Sequence, residues 1–241
     1  MAKGSRGGRR SISQSHTGAQ FTGSGGGGAS GGVFTQMSDT QAQQLRDDME
    51  GNYEPDVTNA IKMYISATDA NGDGYSYSQN LNYKLDNGMA LDVNEKYIDK
   101  YIQKGMHDIG QDTTLFRACH DDILQKAGIK NYASMSETQL QSALVGRTFT
   151  TTSYMSTSYD KVKNPFYHGN NSSGVSGGRE VYMNINAKGS TKMVFGAKSQ
   201  AEMVLNKGTN FRITGIRYDG TYATPRNSGM KPRVILDIET Y

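Results

Sequence analysis

The sequence predicts an α+β fold, with helices first and short strands afterwards. Two observations carry this. Apolar residues recur at helical spacing between Ser38 and Met106, and after Ile109 the texture changes to short runs rich in β-branched and aromatic residues. Helices and strands segregated along the chain, rather than alternating, argue against a parallel βαβ architecture.

Before the first helix lie residues 1–32, which hold 11 of the 29 glycines together with Lys3, Arg6, Arg9 and Arg10 and no acidic residue. Gly/Ser-rich chain buries too little surface to offset its ordering entropy, so this segment is expected to be a disordered basic tail. The whole chain has 26 basic and 23 acidic residues, a formal charge of +3. That excess therefore belongs to the tail. The body, residues 33–241, is close to neutral and gives no electrostatic argument for a nucleic-acid partner. Its 12 Met and 15 Tyr add apolar area to a modest aliphatic content, enough for a folded core.

Within the body, residues 33–110 read as the helical part. Ser38 and Asp39 can cap a helix running through Leu45 toward Met49. A second pattern places Val57, Ile61, Tyr64 and Ile65 on one face, and a third covers Tyr97, Ile98, Tyr101, Ile102 and Met106. Residues 111–241 read as the β-rich core. Strand-like runs fall at 114–119, 148–158, 180–186, 192–195, 201–205, 211–218 and 233–240. One helix interrupts them, where Ser136 and Gln139 have capping-box spacing ahead of Leu140 and Leu144.

Several classes of chemistry are set aside. No run approaches the roughly 20 apolar residues that cross a bilayer, and the N-terminal charges are followed by no apolar stretch of the secretory type. A cytoplasmic location, no membrane partner and a monomeric state are expected. The single Cys119 rules out an intramolecular disulfide and a multi-cysteine zinc site. His16, His107, His120 and His168 lack metal-ligand spacing, and no metal requirement is expected. Cys119 and His120 adjoin on a strand pattern and point to opposite faces, so they make no nucleophile–base pair. Residues 69–80 place Asp69, Asn71, Asp73 and Gly74 at calcium-loop positions. The closing bidentate Glu is replaced by Asn80, however, and a plain turn explains the segment as well.

Three segments of the β-rich half belong together. Arg117 follows Leu115 and Phe116 on one strand, Ser156-Thr157-Ser158 closes another, and Gln200 and Glu202 precede an apolar run and a turn at Lys207-Gly208-Thr209. In that order they resemble the mono-ADP-ribosyltransferases marked by an Arg, a Ser-Thr-Ser and a Gln/Glu-x-Glu motif, and most the branch of the clostridial Rho-modifying exoenzymes. The resemblance covers residues 111–241 well and the helical half more loosely. It implies N-terminal helices packed on two small, mostly antiparallel β-sheets, and NAD as co-substrate.

The chemistry suits those residue types. Cleaving the N-glycosidic bond of NAD leaves positive charge on the ribose, as in glycoside hydrolysis. A carboxylate beside that ribose stabilises charge present only in the transition state. By resemblance Glu202 takes this role, with Ser156 orienting it. Arg117, with its neighbour Ala118, would meet the NAD phosphates through charge-assisted hydrogen bonds. Thr157 and Ser158 would hold strand geometry. Gln200, placed on a strand two residues from Glu202, would share its face and align the acceptor through an amide that both donates and accepts. In the family, Gln there accompanies asparagine-like acceptors or a guanine base. The glycine-rich stretch after Ser158 would cover the cofactor, with Phe166 or Tyr167 stacking on nicotinamide and Arg179 on a phosphate.

Departures matter too. Asn82 and Leu85 match a helix that contacts NAD in the family, but Asp86 stands where an Arg belongs. Ala197 replaces an aromatic residue that Rho-modifying members aim at their target, which argues against Rho-type GTPases. The expectation is an NAD-dependent transferase, an intracellular toxin or a phage-encoded protein acting in a bacterial cytoplasm. Its macromolecular acceptor is a protein Asn or Gln side chain ahead of a nucleic-acid base. The rival readings are a non-catalytic interaction module on the same fold and a calcium-responsive protein built on residues 69–80.

Overall fold

A computed structural model of the chain describes residues 19–24, 34–66, 74–164, 180–223 and 230–241. In chain order the elements are β1 (Ala19–Ser24), α1 (Asp39–Glu50), α2 (Pro55–Ile65), α3 (Tyr77–Asp86), α4 (Val93–Lys104), β2 (His107–Asp108), β3 (Thr113–Cys119), α5 (Asp122–Lys126), α6 (Glu137–Leu144), β4 (Arg147–Thr151), β5 (Met155–Ser158), β6 (Val181–Ala187), β7 (Lys192–Phe195), β8 (Glu202–Leu205), β9 (Asn210–Ala223) and β10 (Met230–Thr240). Short 3₁₀ turns occur at Tyr132–Ser134 and Lys198–Gln200.

The helices start where the sequence provides caps. Ser38, Ser76, Asp92 and Ser136 each accept the N–H of the residue three positions on, and that residue's side chain reaches back to the cap. Pro55 opens α2, where its missing N–H costs nothing. The α2 face predicted from periodicity is buried at Val57, Ile61 and Tyr64, and the α4 face at Ile98 and Ile102.

The strands form one hydrogen-bonded order, β1-β4-β9-β10-β6-β3-β5-β8-β7-β2. This corrects the expectation of two separate sheets, and the reason is local. β3 meets β6 over seven residue pairs, but it meets β5 only at Phe116 opposite Ser158. The sheet is thus a six-strand wing and a four-strand wing joined at a single pair. Among the strands described, every strand-to-strand pairing is antiparallel except that of β10 with β6. The expected run 148–158 divides into β4 and β5, which pair with different strands, β9 and β8.

Residues 19–24 also differ from expectation. Within the segment read as a disordered tail, Ala19–Ser24 pair with β4 as an edge strand. Phe21 lies against Phe149 with ring centroids 5.3 Å apart, and Phe149 stacks on Phe211 at 5.1 Å. One aromatic anchor and a ready sheet edge outweigh the poor strand propensity of the flanking glycines. The rest of residues 1–32 lies outside the described residues.

Two apolar clusters flank the four-strand wing. Met155, Met193, Phe195, Met203 and Leu205 face the main core, while Val194 and Val204 face α2, α3 and α4. Strand alternation therefore turns Ser156 and Glu202 toward the helical half. Among the described residues no helix is long and apolar enough to cross a membrane.

Candidate active site

The single-pair joint between the wings is where the site forms. As β3 and β5 splay beyond Phe116 and Ser158, the Ser156 carbonyl loses a ladder partner. Arg117 Nη1 donates to it at 2.6 Å. Only 6 % of the Arg117 surface is exposed, so its charge sits in a weakly screened environment.

Glu202 begins β8 directly across from Ser158, with Ser156 on the diagonal, opposite Val204. It is 8 % exposed. Its carboxylate is fixed by the preceding segment: Oε2 accepts the Ala197 N–H at 2.8 Å. The backbones interlock as well, since Gly196 N–H donates to the Glu202 carbonyl at 3.0 Å and Glu202 N–H to the Ala197 carbonyl at 3.1 Å. Gly196 is required sterically, because a Cβ there would overlap the Glu202 carboxylate. Its sequence signal was only one glycine among many.

Tyr64, on α2, closes the site from the helical side and was read in the sequence only as a core position. Asn82 on α3 donates to its hydroxyl at 3.0 Å. The phenol also feels Glu202, Ser156 and Arg117, and burial pushes its pKa well above the usual value, so it stays a neutral hydroxyl. The same Asn82 amide brackets the Tyr154 backbone, donating to its carbonyl and accepting its N–H, each at 3.2 Å. Asn82 thus ties α3 to Tyr64 and braces the strand carrying Ser156.

A buried Arg117, a hydroxyl, a phenol and a fixed carboxylate converge, then, on one side of the four-strand wing. Against this geometry stands a family match: the model for the ADP-ribosyltransferase exoenzyme covers residues 41–239. The chain belongs to that family. It is an NAD-dependent ADP-ribosyltransferase, and the mono-ADP-ribosyltransferase resemblance drawn from its motifs holds. Solved transferases share the fold. The chain aligns over 87 % of its length with 99 % of an ADP-ribosyltransferase from Clostridium botulinum, at 18 % identity and a TM-score of 0.54. It aligns over 87 % with 98 % of the Clostridium limosum C3 exoenzyme, at 17 % identity and 0.58. For an ADP-ribosyltransferase toxin from Paenibacillus larvae, it aligns over 87 % with all of that chain, at 14 % identity and 0.60. A sequence search among curated proteins returned no match.

The other predicted positions of this transferase fall variously. Gln200 is exposed and ends the 3₁₀ turn Lys198–Gln200. This corrects its placement on a strand. Ala201 between it and Glu202 has φ 48°, the left-handed region, so strand parity does not relate the two side chains. Ser158 instead links them, its hydroxyl donating to the Gln200 carbonyl at 2.9 Å. Thr157 donates to the Met203 carbonyl at 2.7 Å, so both residues hold strand geometry. Ala118 faces away from Arg117, packing with Phe116, Tyr182 and Ile235. Asp86 accepts from Thr152 at 2.7 Å in the turn between β4 and β5.

Phe166, Tyr167 and Arg179 lie outside the described residues, as do Asp69, Asn71 and Asp73. Among the described residues no group of three or more His, Cys, Asp or Glu gathers as a metal site. Cys119 is buried, and His120 Nδ1 lies 2.7 Å from a Glu180 carboxylate oxygen.

Proposed function

We propose that the chain cleaves the nicotinamide N-glycosidic bond of NAD and transfers ADP-ribose to an Asn- or Gln-type side chain of a protein. The observation that carries this is the fixed, buried Glu202 carboxylate facing Ser156 and Tyr64 beside the buried Arg117. Among the described residues one carboxylate oxygen is hydrogen-bonded, by Ala197, and the other is left for a ribose hydroxyl. Held there, the negative charge meets the oxocarbenium as it forms, without reorganisation at the moment of reaction. Arg117 supplies a cation to the phosphates on the β3 side. An ADP-ribosylating toxin of Clostridium perfringens, solved with NADH, shares the fold at 12 % identity and a TM-score of 0.59, and the chain spans half its length, which supports a nicotinamide dinucleotide as the ligand.

Gln200 supports the acceptor side of the reading. Its exposed turn adjoins the segment that fixes Glu202, and its neighbour Lys198 borders a cleft of about 760 Å³ that is also lined by α1, Tyr159 and Lys163. A neutral amide on the rim can align another amide. With labelled NAD and a bacterial lysate, label is expected in material that protease destroys and nuclease does not. Gln200→Ala should release nicotinamide at the wild-type rate yet label no acceptor. Label that survives protease and vanishes with nuclease would contradict the protein acceptor.

A further inference from the structure

Arg46 on α1 is a charged residue that the catalytic reading leaves unused, and its surroundings are unusual. It is only 9 % exposed, its guanidinium carbon stands 4.5 Å over the Phe195 ring, and Nη1 bonds to both Glu50 at 3.0 Å and the Gly196 carbonyl at 3.1 Å. The Gly196 carbonyl and the Ala197 N–H belong to one peptide group. Its oxygen receives the Arg46 charge, and its N–H donates to Glu202 Oε2 at 2.8 Å. The order is therefore cation, amide, carboxylate, running from the first helix to the proposed catalytic residue at the start of β8.

We propose that Arg46 is a positioning residue for Glu202, acting through the Gly196–Ala197 peptide rather than touching substrate. A cation on the carbonyl oxygen polarises the amide and strengthens its N–H as a donor, which is how hydrogen bonds in series reinforce one another where the dielectric is low. The same bond fixes the rotation of that peptide, and with it the direction from which Glu202 is held. Phe195 supports the guanidinium plane from beneath, and Glu50, more exposed than Arg46, balances its charge. The missing Cβ of Gly196 lets the peptide approach the carboxylate this closely.

The inference rests on Glu202 acting on NAD, so its test carries one readout that needs no turnover. Arg46→Met keeps the stem over Phe195 and removes donor and charge; Arg46→Lys restores a charge and a donor. In ¹⁵N-labelled protein the Ala197 amide proton should move upfield in Arg46→Met, as its hydrogen bond weakens, and return most of the way in Arg46→Lys. For nicotinamide release, Arg46→Met should lose about tenfold in kcat with KM for NAD unchanged, and Arg46→Lys should recover most of it. An unmoved Ala197 amide in Arg46→Met overturns the relay whether or not the enzyme turns over. A raised KM with kcat intact would make Arg46 a ligand contact and overturn it too. Absence of turnover in the wild type would count against the NAD reading alone, and the amide shift would then decide the role of Arg46.

Discussion

Gly196 shows how much of this site is decided at the scale of single residues. A methyl group there overlaps the Glu202 carboxylate rather than a flexible surface chain. Gly196→Ala should thus fold, with circular dichroism unchanged, and lose about 100- to 1000-fold in nicotinamide release as the carboxylate is displaced. Wild-type release from a folded Gly196→Ala protein would show that the carboxylate tolerates displacement. Arg117, Ser156 and Glu202 were legible in the sequence as candidates because their three short motifs, weak singly, follow the order of the family they resemble. Gly196, Arg46 and Tyr64 were not. Their roles arise from partners far along the chain, or from a backbone approach that leaves no pattern. Gln200 was legible as a residue but misplaced, because a single left-handed Ala201 breaks a strand that composition alone would continue.

At the scale of elements, the helix caps were readable and their consequences are measurable. Asp92 caps α4, accepting the Glu95 N–H at 2.9 Å, and also meets Lys84. Burial raises the Asp92 pKa, but the hydrogen bonds from Glu95 N–H, Lys84 and Asn94 outweigh it, and the net result lies below the usual carboxylate value. A folded value below the unfolded one means stability that is present above the unfolded pKa and lost as pH falls through the folded value. Asp92→Asn should flatten that acid loss in denaturant titrations run across the carboxylate range, whereas Asp92→Ala should cost about 1 kcal/mol at neutral pH through the lost cap. An unchanged acid limb in Asp92→Asn would mean that Asp92 contributes nothing to acid sensitivity. The division of the 148–158 run into two strands was not legible, since which strand each half would pair with depends on β8 and β9, far along the chain.

For the whole molecule, the two wings and their narrow joint explain why the site lies where it does. Arg117 bridges the opening from the six-strand wing, Glu202 and Ser156 come from the four-strand wing, and α2 and α3 cover the face between them. The α+β class followed from the segregation of helical and strand patterns, but the continuity of the sheet did not, because one residue pair at Phe116 and Ser158 makes the difference. The N-terminal segment belongs to this scale as well. Removing residues 1–32 should lower stability by about 1–2 kcal/mol through the loss of β1 and the Phe21 ring, with nicotinamide release unaffected. Equal thermal midpoints for the full and shortened chains would mean that β1 adds nothing to the fold.

The proposed chemistry turns on Glu202 stabilising positive charge on the ribose of NAD, and comparing nicotinamide release by the wild type and by Glu202→Gln probes that charge alone. The substitution keeps size and hydrogen bonding and removes the charge. In Glu202→Gln, kcat should be about 100- to 1000-fold lower with NAD affinity little changed. Equal rates of release from the two proteins would show that the carboxylate charge does not stabilise the transition state.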